Sequence, residues 1–190
     1  MLERIAIIDI EASGLHKGSF PIEIGWANAP DGRSGSALIA VHGWLTDHGN
    51  WDPDAEAIHG LTRNYLSEHG LDANTAAQRV MAVLDGRLIF SSDPDYDQRW
   101  LNELLDEAGW PQPRPVVFST KALLIALCGN SDGAGEVMAR ATAMSCHSHR
   151  AEPDAKHLWT AWCLALDRHG TEAAEHALAN VVCKEQNVRG

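Results

Sequence analysis

Two acidic residues stand near the start of the chain, at the end of an apolar run. Residues 4–10 form the run, which carries Asp9, and Glu11 follows directly after it. Such a run predicts a buried central strand. Because side chains two positions apart in a strand leave the same face, the two carboxylates should project together and could bind one metal ion between them. The alternative is a solvated acid pair at a sheet edge.

Two further acids, Asp97 and Asp154, begin the apolar faces of predicted helices. The residues that continue these faces are Trp100, Leu101, Leu104 and Leu105 after the first acid, and Leu158, Ala161, Trp162 and Ala165 after the second. A carboxylate on a core-facing stripe needs a cation, so both acids are candidate metal ligands. For Asp97 the alternative is another helix-start charge. We interpret Asp93 as the N-cap of that helix and Asp95 as a first-turn acid favoured by the helix dipole.

A histidine lies five residues before Asp154, on the loop that enters the same helix. From this position, His149 can reach a metal site without ligating it, which suits a general base. The alternative is a solvated loop histidine. With Cys146 and His147 it also looks locally like a zinc cluster, but structural zinc takes ligands from two separated knuckles and the sequence offers no second one. The four cysteines are scattered without a CxxC pair, so we expect no disulfide framework.

Length and composition fit a single globular domain over residues 1–190, with 45% hydrophobic residues and no apolar run long enough to cross a membrane. The N-terminus lacks the features of a signal peptide, so we expect a cytoplasmic protein. The net charge of −11 argues against a broad basic surface that coats nucleic acid. It does not exclude an enzyme that binds phosphates through metal ions held by its acids.

The elements that would position these residues are predicted from periodicity, turns and helix breakers. Three strands come first, over residues 4–10, 21–27 and 36–41, and their spacing predicts an antiparallel meander. Helices and short strands then alternate: helices over 53–58, 73–84, 94–109, 121–128, 135–144, 154–168 and 172–184, and strands over 87–90 and 116–118. This order indicates an α/β fold with a mixed sheet flanked by helices.

Three segments carry a resemblance to a known family. Residues 9–15, 96–101 and 149–154, in this order and spacing, resemble the three exonuclease motifs of the DEDDh family. That family includes polymerase proofreading subunits, ribonuclease T and oligoribonuclease. The match spans roughly residues 4–168, and residues 58–62 look like the family's substrate-contacting segment. The resemblance implies a ribonuclease-H-like fold, in which parallel strands extend the antiparallel meander.

The same resemblance implies a site and an activity. Asp9, Glu11, Asp97 and Asp154 would hold two Mg²⁺ or Mn²⁺ ions, and His149 would take a proton from the attacking water. The reaction would be 3′→5′ hydrolysis of single-stranded DNA or RNA to nucleoside 5′-monophosphates. Dimerisation is compatible with the family. The alternatives are a weakly active nucleic-acid-binding module of the same fold and a hydrolase of small phosphoesters or nucleotides.

Substrate contacts also follow from the resemblance. The backbone at Ala12 and Ser13 would meet the 3′-terminal nucleotide, Leu15 would wedge against its base, and His59 and Leu61 would line the pocket. For His59 the alternative is a helix C-terminal residue favoured by the dipole. The second motif departs from the family pattern, since Ser92 and Asp93 stand where relatives often have a His-Asn pair, and this puts polar contacts near the terminal nucleotide in doubt.

Overall fold

A five-stranded mixed sheet forms the centre of the molecule. The computed structural model describes residues 1–42, 51–145 and 148–189, and within these ranges the strand order is β3-β2-β1-β4-β5. The first three strands form the antiparallel meander, and the last two run parallel to β1. Their bounds are β1 (Ile5–Ala12), β2 (Pro21–Asn28), β3 (Arg33–Leu38), β4 (Leu88–Ser91) and β5 (Val117–Ser119). The predicted mixed sheet is therefore confirmed.

Eight α-helices flank the sheet in the described part of the chain. They are α1 (Pro53–His59), α2 (Arg63–His69), α3 (Ala73–Leu84), α4 (Pro94–Glu107), α5 (Thr120–Cys128), α6 (Ser131–Met144), α7 (Ala151–His169) and α8 (Thr171–Arg189). None of these described helices combines the length and the hydropathy that are needed to cross a bilayer.

Several elements differ from their predicted form; α6, for example, begins at Ser131, four residues earlier than predicted. The sequence does not predict α2, because Leu66 is its only buried residue and no apolar stripe marks the helix. β3 lies earlier than the predicted 36–41, because its pairing with β2 begins directly after the turn, at Arg33 opposite Asn28. α7 begins at Ala151 and takes Pro153 into its first turn, where a residue without an N–H costs no hydrogen bond.

The expected N-cap of α4 is only partly correct. Asp93 occupies the cap position, and its carbonyl accepts a hydrogen bond from Asp97 N at 3.0 Å. Its side chain, however, makes no capping hydrogen bond. The physical reason is its backbone: a ψ of 77° lies outside the extended conformation in which capping side chains reach the first turn.

Alternate residues of β1 face two different hydrophobic clusters. Ile5 and Ile7 pack with residues of α5, α6, α7 and α8, whereas Ile8 and Ile10 pack with residues of α3 and α4. Because the side-chain period of a strand is two, the odd-numbered face continues into Asp9 and Glu11. Both acids therefore project toward the side of the sheet that α7 covers.

The N-terminus of α7 approaches the sheet closely at β2. A Cβ atom added at Gly25 would lie 2.1 Å from the carbonyl carbon of Ala151, so only glycine permits this contact. Ser34 on β3 adds a hydrogen bond of 2.7 Å from its hydroxyl to Oε1 of Glu152. These contacts fix the first turn of α7 over β2 and β3, and so determine where Asp154 lies.

Candidate active site

Three of the predicted metal ligands converge at the end of β1. Asp9, Glu11 and Asp154 each offer one carboxylate oxygen, and the three oxygens all lie within 4.8 Å of one another. Asp154 is the fourth residue of α7, and 3% of it is exposed. Two strand residues on one face and one residue from the helix over that face thus form a set of oxygen donors, the type that hard divalent cations prefer.

Asp97, the fourth predicted ligand, lies beside this group. It is the fourth residue of α4 and is 4% exposed. Burial raises the pKa of Asp97 to about 8; the Ser91 hydroxyl beside the carboxylate opposes this, and the charges of Asp93 and Glu11 add to it. Asp97 in turn raises the pKa of Asp9. Helices α4 and α7 therefore bring Asp97 and Asp154 to the end of β1 from opposite faces of the sheet.

The two acids of β1, Asp9 and Glu11, also have raised pKa values. Burial raises the pKa of Asp9 well above its usual value, and the neighbouring carboxylates Asp97, Glu11 and Asp154 raise it further. The pKa of Glu11 rises to about 7, mainly through burial and then through Asp154. Within the described ranges, no Lys or Arg forms an ion pair with Asp9, Glu11 or Asp97. A divalent cation would relieve this repulsion, so the residues present fit a metal site.

The loop that carries His149 is anchored on both sides of this residue. Ser148 N donates a hydrogen bond of 3.0 Å to Oδ1 of Asp154. Arg150 forms a bidentate pair with Glu23, with Nε to Oε2 at 2.8 Å and Nη2 to Oε1 at 3.0 Å. Between these anchors, His149 adopts a φ of 52°, a left-handed conformation that costs a residue with a Cβ about 1–2 kcal/mol. His149 itself is exposed.

Glu23 is a buried residue that the sequence interpretation missed. It is 1% exposed and is the cross-strand partner of Glu11. Besides Arg150, it accepts hydrogen bonds from Ala151 N at 3.2 Å and from the Ser36 hydroxyl at 2.9 Å. The sequence signal that could have identified Glu23 is its position between two isoleucines, in a strand whose residues are all buried. Such a carboxylate needs a cation, and here the chain supplies one.

The predicted substrate residues lie near the β1–β2 loop and α1, in different states of burial. Leu15 is 65% exposed, as a wedge residue must be. Ser13 is buried: its N donates to Phe20 O at 2.9 Å and its carbonyl accepts from Asp52 N at 2.7 Å. Its backbone groups already have partners in the protein. Ala12, the last residue of β1, is buried as well.

His59 and Leu61 are both buried. His59 ends α1, and its Nδ1 accepts a hydrogen bond from Leu61 N at 3.0 Å. Burial lowers the pKa of His59, so the neutral imidazole is favoured. Leu61 packs in a small cluster with Phe20, Ile22, Val41 and Leu66. The substrate roles of these residues stay predictions. Cys146 and His147, on which the zinc interpretation depends, lie outside the described residues.

Solved structures share this fold. E. coli exonuclease I in complex with a dA16 oligonucleotide has a TM-score of 0.67 at 13% identity, over 90% of this chain and 42% of that one. The zinc ion bound form of an E. coli exonuclease I–single-stranded DNA complex gives the same values. A moderately thermophilic exonuclease I from Methylocaldum szegediense has a TM-score of 0.68 at 16% identity, over 93% of this chain and 43% of that one.

These likenesses define the class of fold. Exonuclease I is a DEDDh-type 3′–5′ exonuclease with a ribonuclease-H-like fold, and this chain has that fold, as predicted. The chain spans about two fifths of the length of the exonuclease I chains. No protein-family model matches the sequence, and no curated protein sequence matches it either.

Proposed function

We propose that this chain is a metal-dependent exonuclease that removes nucleoside 5′-monophosphates from the 3′ end of single-stranded nucleic acid. The observation that carries the proposal is the convergence of Asp9, Glu11 and Asp154 within 4.8 Å, with the buried Asp97 beside them. These acids come from β1, α4 and α7, which are far apart in the sequence. Their assembly has the composition of a phosphoryl-transfer site, and the fold is that of exonuclease I.

The acids would hold two Mg²⁺ or Mn²⁺ ions. Among the described residues, the donor set consists of carboxylate oxygens alone, which favours these cations over those that prefer nitrogen or sulfur ligands. When bound, two such ions stabilise the attacking and leaving oxygens of an in-line displacement at phosphorus. The pKa values of Glu11 and Asp97 are raised first by burial and then by neighbouring carboxylates, and bound cations would offset both effects.

His149 would act as the general base. The residue is exposed, and its backbone lies between Ser148, which donates a hydrogen bond to Asp154, and Arg150, which is paired with Glu23. From this position it would accept a proton from the attacking water, a contribution that typically accelerates hydrolysis by about 10²–10⁴. The exposed side chain of Leu15 would hold the terminal base, so that the last phosphodiester bond lies over the acids.

The structural neighbours support a single-stranded substrate. Solved exonuclease I structures include complexes with dA16 and dT13 oligonucleotides and with single-stranded DNA. The net charge of this chain, −11, also favours contacts to phosphate through bound cations over a broad basic surface.

The test compares two aspartates of the same helix. Asp97→Asn keeps the shape of a buried site residue, and Asp95→Asn makes the same change at an exposed position two residues earlier. With Mg²⁺ and a 5′-labelled oligonucleotide, we expect Asp97→Asn to lower kcat/KM about 10³-fold, since a metal-bound site contributes several kcal/mol to the transition state. Asp95→Asn should match the parent.

Product analysis completes this test. The parent should give a ladder of products shortened from the 3′ end, and a chelator should abolish it. Circular dichroism would show that both variants are folded. Equal activity of Asp97→Asn and the parent, or a parent that degrades neither DNA nor RNA oligonucleotides in the presence of Mg²⁺ or Mn²⁺, would contradict the proposal.

A further inference from the structure

Helix α5 is apolar on nearly every side. Lys121 is the only charged residue in this helix, and its leucines are buried in the core. The residues that point outward are apolar as well: Ile125 is partly exposed, and Ala126 is exposed. A surface helix normally carries polar side chains on its outward face, whereas a helix that is apolar all round is normally covered. The outward face of α5 therefore has the composition of a surface that another element covers.

Two depressions lie side by side between α5 and α8. Ile125 and Val181 line the first, which has a volume of about 370 Å³. Ala173 and Ala177 line the second, which has a volume of about 490 Å³. Ala126 lines both, so the two depressions form one largely apolar groove with this residue at its centre, the α5–α8 groove. The two helices run antiparallel along the groove, because the first depression combines the start of α5 with the end of α8.

The two ends of the α5–α8 groove carry opposite charges. Lys184 lines the first depression and Glu172 lines the second. Both residues are exposed, and neither forms an ion pair within the described part of the chain. The carboxylate of Glu185, next to Lys184, accepts a hydrogen bond of 3.3 Å from the backbone of β5. His169 and His176 share the second depression with Glu172. The groove therefore has a basic end and an acidic end.

We propose that the α5–α8 groove binds the same groove of a second copy of this chain. In a two-fold contact each copy presents the same surface, turned end for end, so the basic end of one groove meets the acidic end of the other. Lys184 of each copy then pairs with Glu172 of the other copy. The axis passes near Ala126, where the apolar parts of the two grooves cover each other. A different partner would need a matching order of charges, whereas a second copy supplies it by symmetry alone.

The size of the groove indicates a reversible dimer. Helix α8 has 19 residues, which gives it a length of about 28 Å, and two helices side by side are about 20 Å wide. The face that they present is therefore about 560 Å² per copy, at the lower end of specific interfaces, where association is weak or transient. The net charge of −11 adds repulsion between the copies. We expect a dissociation constant on the order of 10 µM.

This dimer leaves the candidate active site open. The acidic end of the groove includes His169, the last residue of α7, whereas Asp154 lies in the first turn of that helix. The two residues are about 22 Å apart along the helix axis. The inference therefore goes beyond the proposed exonuclease function, and either of the two can fail alone.

Charge reversals at the two ends test the two-fold pairing. Lys184→Glu places acid against acid at both ends of the dimer, and Glu172→Lys places base against base. Each variant alone should dimerise at least about tenfold more weakly than the parent, because like charges meet twice. An equimolar mixture of the two variants restores both opposite-charge pairs, so it should form heterodimers with an affinity within about threefold of the parent. Sedimentation velocity at about 1–200 µM protein measures these samples.

Ala126→Glu tests the apolar centre of the groove. Two glutamates would face each other near the axis without a cation, so the dimer should be lost over the same range of concentration. Ala139→Glu, at an exposed alanine of α6 outside the groove, is the matched control and should dimerise as the parent does. Circular dichroism checks that every variant is folded. A parent that is monomeric at about 200 µM, a dimer that Ala126→Glu leaves intact, or a mixture of the charge variants that does not associate would each overturn the inference.

Discussion

Two glutamates on adjacent strands differ in the partners of their carboxylates. Glu11 on β1 and Glu23 on β2 are cross-strand partners, so their side chains leave the same face of the sheet. Glu23 receives the guanidinium of Arg150, the backbone N–H of Ala151 and the hydroxyl of Ser36. Glu11 has no Lys or Arg ion pair within the described ranges, and its pKa rises to about 7.

Under the proposed function, this difference separates a structural carboxylate from one that would bind metal. The chain provides its own cation for Glu23, and this ion pair attaches the loop before α7 to β2. For Glu11 and its neighbours Asp9 and Asp97, the charge is neutralised either by a retained proton or by a cation from solution. Loss of Glu23 or Arg150 should therefore act mainly on stability and position, and loss of a site residue mainly on the reaction.

The largest effect in this comparison should come from His149→Asn. Asparagine tolerates the left-handed backbone at φ 52° but cannot act as a general base at neutral pH. We expect kcat/KM to fall by about 10²–10⁴ while the melting temperature is nearly unchanged. Assays with an oligonucleotide and thermal melts measure the two quantities. His149→Gly serves as the control for the backbone and should show the same loss; activity within about threefold of the parent would remove the general-base role.

A smaller effect on activity and a larger one on stability should come from Arg150→Met. The variant leaves Glu23 buried without its cation, which should cost about 3 kcal/mol in the free energy of unfolding. Because His149 loses an anchor, kcat/KM should also fall about tenfold. Urea denaturation and the oligonucleotide assay measure both effects.

Glu23→Gln is the matched variant on the other side of this pair. It should destabilise less, because Arg150 is partly exposed and can be solvated. The double variant Glu23→Gln with Arg150→Met should regain part of the stability that Arg150→Met loses. If Arg150→Met is as stable as the parent, the pair does not hold the loop.

The smallest effect concerns the pH dependence of stability without metal. The pKa values of Glu11 and Asp97, about 7 and about 8, exceed the usual values of 4.5 and 3.8, so the folded protein retains protons that the unfolded chain has lost. The two carboxyl groups thus contribute fully to the free energy of unfolding below about pH 4. This contribution is lost as the pH rises through 7 and 8. We expect the melting temperature in a chelator to fall by about 5 °C between pH 5 and pH 8.5.

Mg²⁺ should reverse this change. Since the cation binds the ionised carboxylates, it should raise the melting temperature more at pH 8.5 than at pH 5. Asp97→Asn should flatten the pH dependence and weaken the response to Mg²⁺. A parent whose melting temperature rises between pH 5 and pH 8.5 in the chelator would show that these carboxylates are not strained in the folded state.

Most of the fold could be predicted from local pattern. The predicted helix over 73–84 coincides with α3, and the one predicted over 121–128 matches α5, where the hydroxyl of Ser119 accepts a capping hydrogen bond from Ala122 N. Both succeeded because an amphipathic stripe or a capping residue is a property of consecutive residues. α2 could not be predicted, because its stability depends on the contact of Leu66 with a cluster formed by distant strands.

The sequence by itself determined which side chains carry charge into apolar surroundings. Asp9 and Glu11 share a strand face, and Asp97 and Asp154 begin core-facing helix stripes, because the periods of two and 3.6 residues place them there. Only the tertiary structure decided which of these charges receive a partner from the chain. Glu23 is neutralised by Arg150 from 127 positions away, and Gly25 lets α7 approach closely enough to bring Asp154 to β1. Contacts between distant segments depend on how the elements pack, and no local pattern records them.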